Sequence, residues 1–333
     1  MTQTLFDVTG VGNAIVDVIA PCSEDFLIEN TIEKGAMTLI DEDRATQLYG
    51  KMAAGKEVSG GSAANTLAGV ASLGGRGAYI GKVADDALGT SFTRDLNASG
   101  VRYDTAPLSG GPATARCLIN VTPDAQRSMS TFLGASVMFS EDDIDADKIR
   151  AAEITFMEGY LFDREDAKAA FVFASEVAKA AGRKVALTLS DTFCVDRHRS
   201  SFRQLVRNHI DILLANEAEI MSLYETDDFE LALASVRAET RLAAVTRSEK
   251  GAIIVCGDQT EEVAARPVEK VVDTTGAGDL FASGFLLGAA RNLPLYESGR
   301  LGVISAAEVI SHFGARPETN LESLVRESGN RLT

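Results

Sequence analysis

Short β-rich apolar runs alternate along most of the chain with longer stretches in which apolar residues return every three to four positions. FDVTGVGNAIVDVIA (6–20), GAYIGKV (77–83), EITFMEGYLF (153–162), KVALTLSD (184–191), IDILLAN (210–216) and LAAVTRS (242–248) read as strands. Between them, 62–73, 88–99, 165–181, 196–208, 217–224, 229–239, 279–291 and 297–312 carry helix formers at helical spacing. Gly100, Gly182 and Gly314 stand where helices should stop. Strand and helix in turn predict an α/β fold with a central, mostly parallel sheet flanked by helices. Two stretches break the rhythm. Residues 22–58 hold the apolar KGAMTLID in a charged setting, and TARCLINVTPDAQRSMSTFLG (114–134) reads as two strands joined across Pro123 and Asp124. Neither has a crossover helix of its own, so, taken from about 18–58 and 103–136, they suit a small β lid over one end of the sheet. The chain has no internal repeat, low-complexity tract or Pro/Ser-rich linker, so residues 1–333 are expected to form one domain carrying that lid.

Composition narrows the function classes. At 45% hydrophobic and 24% charged, the 333 residues suit a folded core and exclude disordered or collagen-like chains. A formal charge of -16 would repel nucleic-acid backbones and anionic membrane surfaces, so neither is expected as a partner. Cys22, Cys117, Cys194 and Cys256 lie far apart, and His198, His209 and His312 are not spaced as a zinc set. The N-terminus shows no basic region leading into a long apolar core, and a cytoplasmic location with reduced thiols is expected.

Two nucleotide-loop look-alikes fail on chemistry. Gly50 to Lys56 has P-loop spacing, but Glu57 stands where a magnesium-binding hydroxyl is needed. Gly10 and Gly12 are half of a dinucleotide fingerprint, with Ile15 where its third glycine belongs. The strongest signal is VDTTGAGDLF (272–281), a Gly/Ala loop running straight into an apolar helix. Small residues let backbone approach a ligand, and the first amides of a helix have no internal partners, so they converge on an anion. Asp279 then falls in the first helical turn, where it could cap the helix or accept the proton of an attacking hydroxyl. Asp17 is a lone carboxylate inside the apolar run NAIVDVIA, costly unless partnered, and vicinal sugar hydroxyls are suitable partners. Asn13, four residues earlier on a strand of period two, would face the same way. Gly60 and Gly61 read as a turn before a helix or a close approach to ligand, with Asn65 as donor and acceptor. Asn216 and Glu219 follow a strand end and read as a helix cap with a first-turn acid, or as ligand contacts.

VDTTGAGDLF resembles the C-terminal signature of the ribokinase-like, or PfkB, carbohydrate kinases. GGSAAN (60–65), GKVADDALG (81–89), NEAE (216–219) and Gly314-Ala315 are similar to that family's other elements, in family order along nearly the whole chain. The resemblance implies a ribokinase-like fold and an ATP-dependent kinase using magnesium. It makes Asp279 the catalytic base and gives Gly276, Ala277 and Gly278 the transferring phosphate. It assigns Asn13, Asp17, Gly60, Gly61 and Asn65 to the acceptor, and Asn216, Thr246, Ser248 and Gly251 to the nucleotide. Glu219 would hold magnesium through water, while Asp273 and Thr275, with carbonyls near Gly314, would hold a monovalent cation such as potassium. Ser248 replaces a frequent family glycine.

Ser62 after the Gly-Gly pair, and the opening GVGNAIVDV, resemble adenosine kinases and their bacterial relatives more than ribokinases proper. The implied reaction is phosphorylation of a ribose 5′-hydroxyl, adenosine first and a plain sugar as the alternative, by a monomer or homodimer. A purine would need an aromatic face, for which Tyr160 and Phe162 are candidates, although Leu161 separates them. Arg116 and Arg127, on the expected lid strands, could meet substrate or pair with acidic neighbours, and solvent-facing pairs are the preferred reading.

Overall fold

A computed structural model describes residues 4–124 and 126–329. Its strands are β1 (Phe6–Val11), β2 (Ile15–Pro21), β3 (Met37–Leu39), β4 (Lys56–Gly60), β5 (Gly77–Ile80), β6 (Val101–Tyr103) and β7 (Ala115–Val121). They continue as β8 (Arg127–Phe132), β9 (Ala152–Glu158), β10 (Lys184–Thr188), β11 (Ile212–Asn216), β12 (Leu242–Thr246), β13 (Ala252–Cys256) and β14 (Gln259–Val263). The helices are α1 (Glu24–Glu29), α2 (Glu42–Tyr49), α3 (Ser62–Ser72), α4 (Ala87–Ala98), α5 (Ala146–Arg150) and α6 (Glu165–Ala180). After them come α7 (Thr192–His209), α8 (Glu217–Tyr224), α9 (Phe229–Glu239), α10 (Ala277–Ala290), α11 (Leu295–Val309) and α12 (Leu321–Glu327).

Nine strands form one sheet in the order β14-β13-β12-β11-β10-β9-β1-β5-β6, parallel except for the β12-β13-β14 ribbon. Alternation along each strand splits the core into two layers. Ile212, Leu214 and Ala244 face the layer built with α3, α10 and α11, whereas Leu213, Ala215 and Val245 face the layer of α6, α7, α8 and α9. Helix α10 lies in the middle of its layer, with Leu280, Phe281, Phe285, Leu286 and Leu287 all buried, which is why its sequence is apolar on every side. The chain turns from the β5 side of β1 to the β9 side, and ligands in open α/β sheets bind beyond the strand ends at such a reversal.

A second sheet, β3-β8-β7-β2-β4, stands over those strand ends. The run 6–20 therefore is not one strand: β1 joins the large sheet, β2 joins the small one, and Gly12 to Ala14 link them. Asn13 donates its backbone N–H to the Glu158 carboxylate rather than to a ladder partner, which is where the strand breaks. Residues 22–58 contain α1 and α2 as well as strands. Helix α2 is capped by Asp41, whose side chain accepts from the Arg44 amide at 2.8 Å, and buries only Ala45 and Leu48, too short a stripe to stand out as helical periodicity. Strands β7 and β8 pair antiparallel as expected, and Ala125, between them in the sequence, lies outside the described residues. Helix α11 ends at Val309, short of Gly314, because the Ile310 carbonyl turns to accept the Val272 amide. No described helix is long and apolar enough to cross a membrane.

Candidate active site

A cavity of about 580 Å³ lies between the two sheets, lined at the carboxyl ends of five strands by Asn13, Glu158, Thr188, Asn216 and Thr246. Asp17 and Gly61 line the same cavity, as do Glu219 and the loop Thr275, Gly276, Ala277, Gly278 and Asp279. The motifs therefore meet in space although they span the chain. Gly60, Asn65, Ser248, Gly251 and Asp273 are not among the residues that line it.

The loop before α10 owes its shape to Gly276, whose φ of +79° is left-handed and whose Cβ would sit 2.8 Å from Ala315. The Gly314-Ala315 turn thus packs directly on the loop. Of the opening amides of α10, that of Ala277 donates to Thr274 O at 3.2 Å, while the next have no intrahelical carbonyl to bind and stand at the cavity with the positive end of the helix dipole. Asp279 follows in the first turn. Its Oδ1 accepts from Ser62 Oγ at 2.6 Å and its Oδ2 from Asn65 Nδ2 at 3.0 Å. Loss of solvation raises its pKa, while those donors and the nearby Arg316 charge act the other way.

Opposite the loop, Asp17 on β2 is pushed up to about 7 by loss of solvation, with Arg316 and Arg127 opposing that rise. Gly60 explains how the carboxylate fits: a Cβ there would lie 2.4 Å from an Asp17 oxygen. Asn13 reaches the cavity from the β1–β2 link, not from a shared strand face with Asp17, and its Nδ2 donates to Glu158 Oε1 at 3.0 Å. Glu158 Oε2 accepts the Ala63 amide at 2.8 Å, at the N-terminus of α3. Burial pushes Glu158 up to about 7.

Asn216 and Glu219 form a reciprocal capping box at the start of α8, with Glu219 N donating to Asn216 Oδ1 at 2.8 Å and Asn216 N to Glu219 Oε2 at 3.0 Å. The cap and the cavity lining are the same residues. Burial pushes Glu219 up to about 7. Ser248 and Gly251 bound a tight turn after β12, with φ of +51° and +87°, and the left-handed Ser248 accounts for glycine suiting this position.

Arg116 and Arg127 correct the sequence expectation. Arg127 keeps an acidic partner but is only 10% exposed, its Nη2 lying 2.9 Å from Asp273 Oδ2 and its Nη1 3.4 Å from Thr275 Oγ1. Arg116, 8% exposed, donates to Thr46 Oγ1 at 2.7 Å and lies over the Tyr49 ring. The small sheet folds over the loop and turns Arg127 to its inner face, whereas Arg116 lies on the opposite face of that sheet, which α2 covers. Asp273 also accepts from the Gly314 amide and from the amide and hydroxyl of Thr275, so four donors fill its four lone-pair sites.

Of the aromatic candidates, Tyr160 lines the cavity, whereas Phe162 is core, 3% exposed and stacked on Phe202 at 4.7 Å. Sequence reasoning missed Phe193, a cavity-lining ring 57% exposed, for which no pattern exists. It also missed Glu158, whose signal was a carboxylate closing an apolar strand, as Asn216 closes β11.

A parallel sheet whose strand ends meet an amide-lined loop, with a carboxylate in the next helical turn, defines an α/β phosphotransferase. Residues 35–321 match the model described as pfkB family carbohydrate kinase, and the chain belongs to that family of phosphotransferases acting on hydroxyl groups. Among solved structures it is similar to a probable sugar kinase protein from Rhizobium etli CFN 42, with 50% identity, a TM-score of 0.91, and coverage of 99% of this chain and 100% of that one. It is likewise similar to the adenosine kinase from Sinorhizobium meliloti, with 51% identity, a TM-score of 0.89, and coverage of 97% and 99%. A curated relative, the probable chloroplastic fructokinase-6 of Arabidopsis thaliana, is 29% identical over 251 residues, covering 73% of this chain and 65% of that protein.

Proposed function

We propose that the protein is an ATP-dependent kinase that phosphorylates the 5′-hydroxyl of adenosine. The observation that carries this reading is the cavity itself, which joins an anion loop and Asp279 to a carboxylate-bearing floor and an apolar wall. Met37, Leu39 and Met129 of the small sheet, with Tyr160 and Phe193 opposite, give a purine a mixed aliphatic and aromatic slot. Asp17 would accept the ribose hydroxyls, with Asn13, Gly60, Gly61 and Asn65 shaping that end. The nearby adenosine kinase of Sinorhizobium meliloti, at 51% identity, supports the same acceptor.

Asp279 takes the proton of the attacking hydroxyl while the 276–278 amides receive the charge of the transferring phosphoryl. Arg127 stands at the rim of that loop, where a guanidinium meets phosphate oxygens. Asn216, Thr246, Ser248 and Gly251 hold the nucleotide, and the small sheet, acting as a lid, keeps water from the phosphoryl group. No three acidic, histidine or cysteine side chains among the described residues form a metal cage, which suits magnesium carried by phosphates and water. Glu219, a buried carboxylate whose ionised form a nearby cation would favour, would hold that water shell. Magnesium, when bound, neutralises the phosphate charge. A potassium ion near the loop would draw on main-chain carbonyls around Asp273, Thr275 and Gly314, since the Asp273 carboxylate is already saturated. A cytoplasmic monomer or homodimer fits this reading.

A sugar kinase is the second reading. Glu158 gives the floor a second buried carboxylate, which suits a polyol with more hydroxyls, and the Rhizobium etli relative is a probable sugar kinase. ATP consumption and thermal shift with adenosine, inosine, guanosine, ribose and fructose decide between them. Turnover confined to a free sugar overturns the adenosine reading.

A further inference from the structure

Arg316, two residues beyond Gly314, does not line the cavity, yet it is the charged centre of a hydrogen-bond chain that ends on Asp279. Its Nε donates to Asn65 Oδ1 at 2.8 Å. An arginine can only donate, so this contact fixes which way the buried Asn65 amide faces. The amide oxygen must point to Arg316, and the NH2 group is left to donate to Asp279 Oδ2 at 3.0 Å. The guanidinium is anchored in turn: Nη2 donates to Ser59 O at 2.8 Å and lies 3.0 Å from Ser59 Oγ. Ser59, on β4, donates its amide to Asp95 Oδ2 of α4 at 2.7 Å. The chain Asp95, Ser59, Arg316, Asn65, Asp279 therefore ties the edge of the small sheet and helix α4 to the carboxylate in the cavity.

We propose that Arg316 is a positioning residue for Asp279, acting through the amide of Asn65 and held in place by Ser59 and Asp95. The inference rests on the reading of Asp279 as the base. Without Arg316, the Asn65 amide is free to flip and present its oxygen to the Asp279 carboxylate, where two acceptors repel. The guanidinium is also the positive charge nearest a group of acids. Asp95 from α4, Asp17 from β2 and Asp279 from α10 act on it, as does Tyr79 from β5. Asp279 in turn acts on Asp17 and on Glu158 from β9. Arg316 holds down the pKa of Asp279 against the rise that burial imposes.

Arg316→Gln should lower kcat by about 10-fold to 100-fold, the cost of losing a charge-assisted contact, with the KM for ATP changed by less than about threefold. The acid limb of the kcat–pH profile should move to higher pH, because the cation that favours ionised Asp279 is gone. Arg316→Lys should restore the limb and only part of kcat, since an ammonium keeps the charge but not the fork that reaches Asn65 and Ser59 together. In an Asn65→Ala background, Arg316→Gln should cost no further kcat on the pH plateau, because the amide that carries its positioning effect is gone, and only the limb shift from the lost charge should remain. Should Arg316→Gln fail to fold, Ser59→Ala removes one anchor and keeps both the carbonyl contact and the charge, and a loss of about twofold to fivefold in kcat with the acid limb little moved is expected. Unchanged kcat and pH profile in the folded variant, or plateau losses of kcat that multiply with Asn65→Ala, overturn the proposal. The acceptor is adenosine, or the sugar selected by the panel. Full activity of Asp279→Asn would instead overturn the base reading, whereas an inactive Asp279→Asn beside a normal Arg316→Gln sinks the positioning role alone.

Discussion

The two ends of the cavity are built from different materials. The end proposed to take phosphate is made of main chain: the 276–278 loop, the opening of α10, and a glycine turn from residue 314 packed behind it. The acceptor end is made of side chains that already satisfy one another, Asn13 with Glu158, and Asn65 with Asp279. Amides cannot change charge and need little rearrangement when an anion arrives. Carboxylates raised to about 7 can, and their state in the empty protein differs from the one a ligand with hydroxyl donors would impose. The phosphate end is thus preorganised, and the acceptor end is poised.

The largest effect expected of any change is at the seam of the two ends. Asp279→Asn keeps the shape and removes the base, so kcat should fall by about 10²-fold to 10⁴-fold while isothermal titration shows ATP binding largely kept. Near-normal turnover would remove the distinction between a reacting carboxylate and a helix cap. Next, Asp17→Ala should raise the acceptor KM by about 10-fold to 100-fold and leave the KM for ATP nearly unchanged. Equal losses for both ligands would make Asp17 a structural residue and the acceptor end no more specialised than the rest.

The poised carboxylates also predict how stability follows pH. Asp17, Glu158 and Glu219 have folded pKa values raised to about 7 above their ordinary values near 4. Each therefore binds its proton more tightly when folded, so its contribution is fully present at low pH and lost as pH rises through about 7. Urea melts of the ligand-free protein should show stability falling between pH 5 and pH 7, by up to about 1.4 kcal/mol per pH unit for each titrating group. Asp17→Asn should flatten that slope by one group. A slope that rises across this range would show the carboxylates to be stabilised as anions. The smallest effect expected is at the loop: potassium should raise kcat by a few-fold over a large inert cation at fixed ionic strength and magnesium. No response would remove the cation and leave the kinase untouched.

This division also governs what the sequence discloses. The glycine loop, the paired glycines at 60 and 61 and the Asn216–Glu219 box are local patterns, each readable within ten residues. The helices of the large sheet were legible for the same reason, since their apolar stripes repeat within one element. Glu158 and Arg316 were not singled out, because their roles arise from partners at Asn13 and Asn65, far away in the chain. Arg127 was placed on the right strand and given the wrong surroundings, because only the docking of one sheet over the other turns its face inward. The helices α1 and α2 were hidden by their shortness, and the split of residues 6–20 by an apolar pattern that runs unbroken across a change of sheet.

The site's residues run from Asn13 to Arg316, almost the length of the chain, and this has a consequence during synthesis. A ribosome that has not yet translated residues 314–316 carries a polypeptide with the phosphate loop but without the turn that braces it or the guanidinium that orients its carboxylate. Nascent chains and early truncation products that end before Gly314 are therefore expected to be inactive, with competence reached only once residues 314–316 fold back onto the loop.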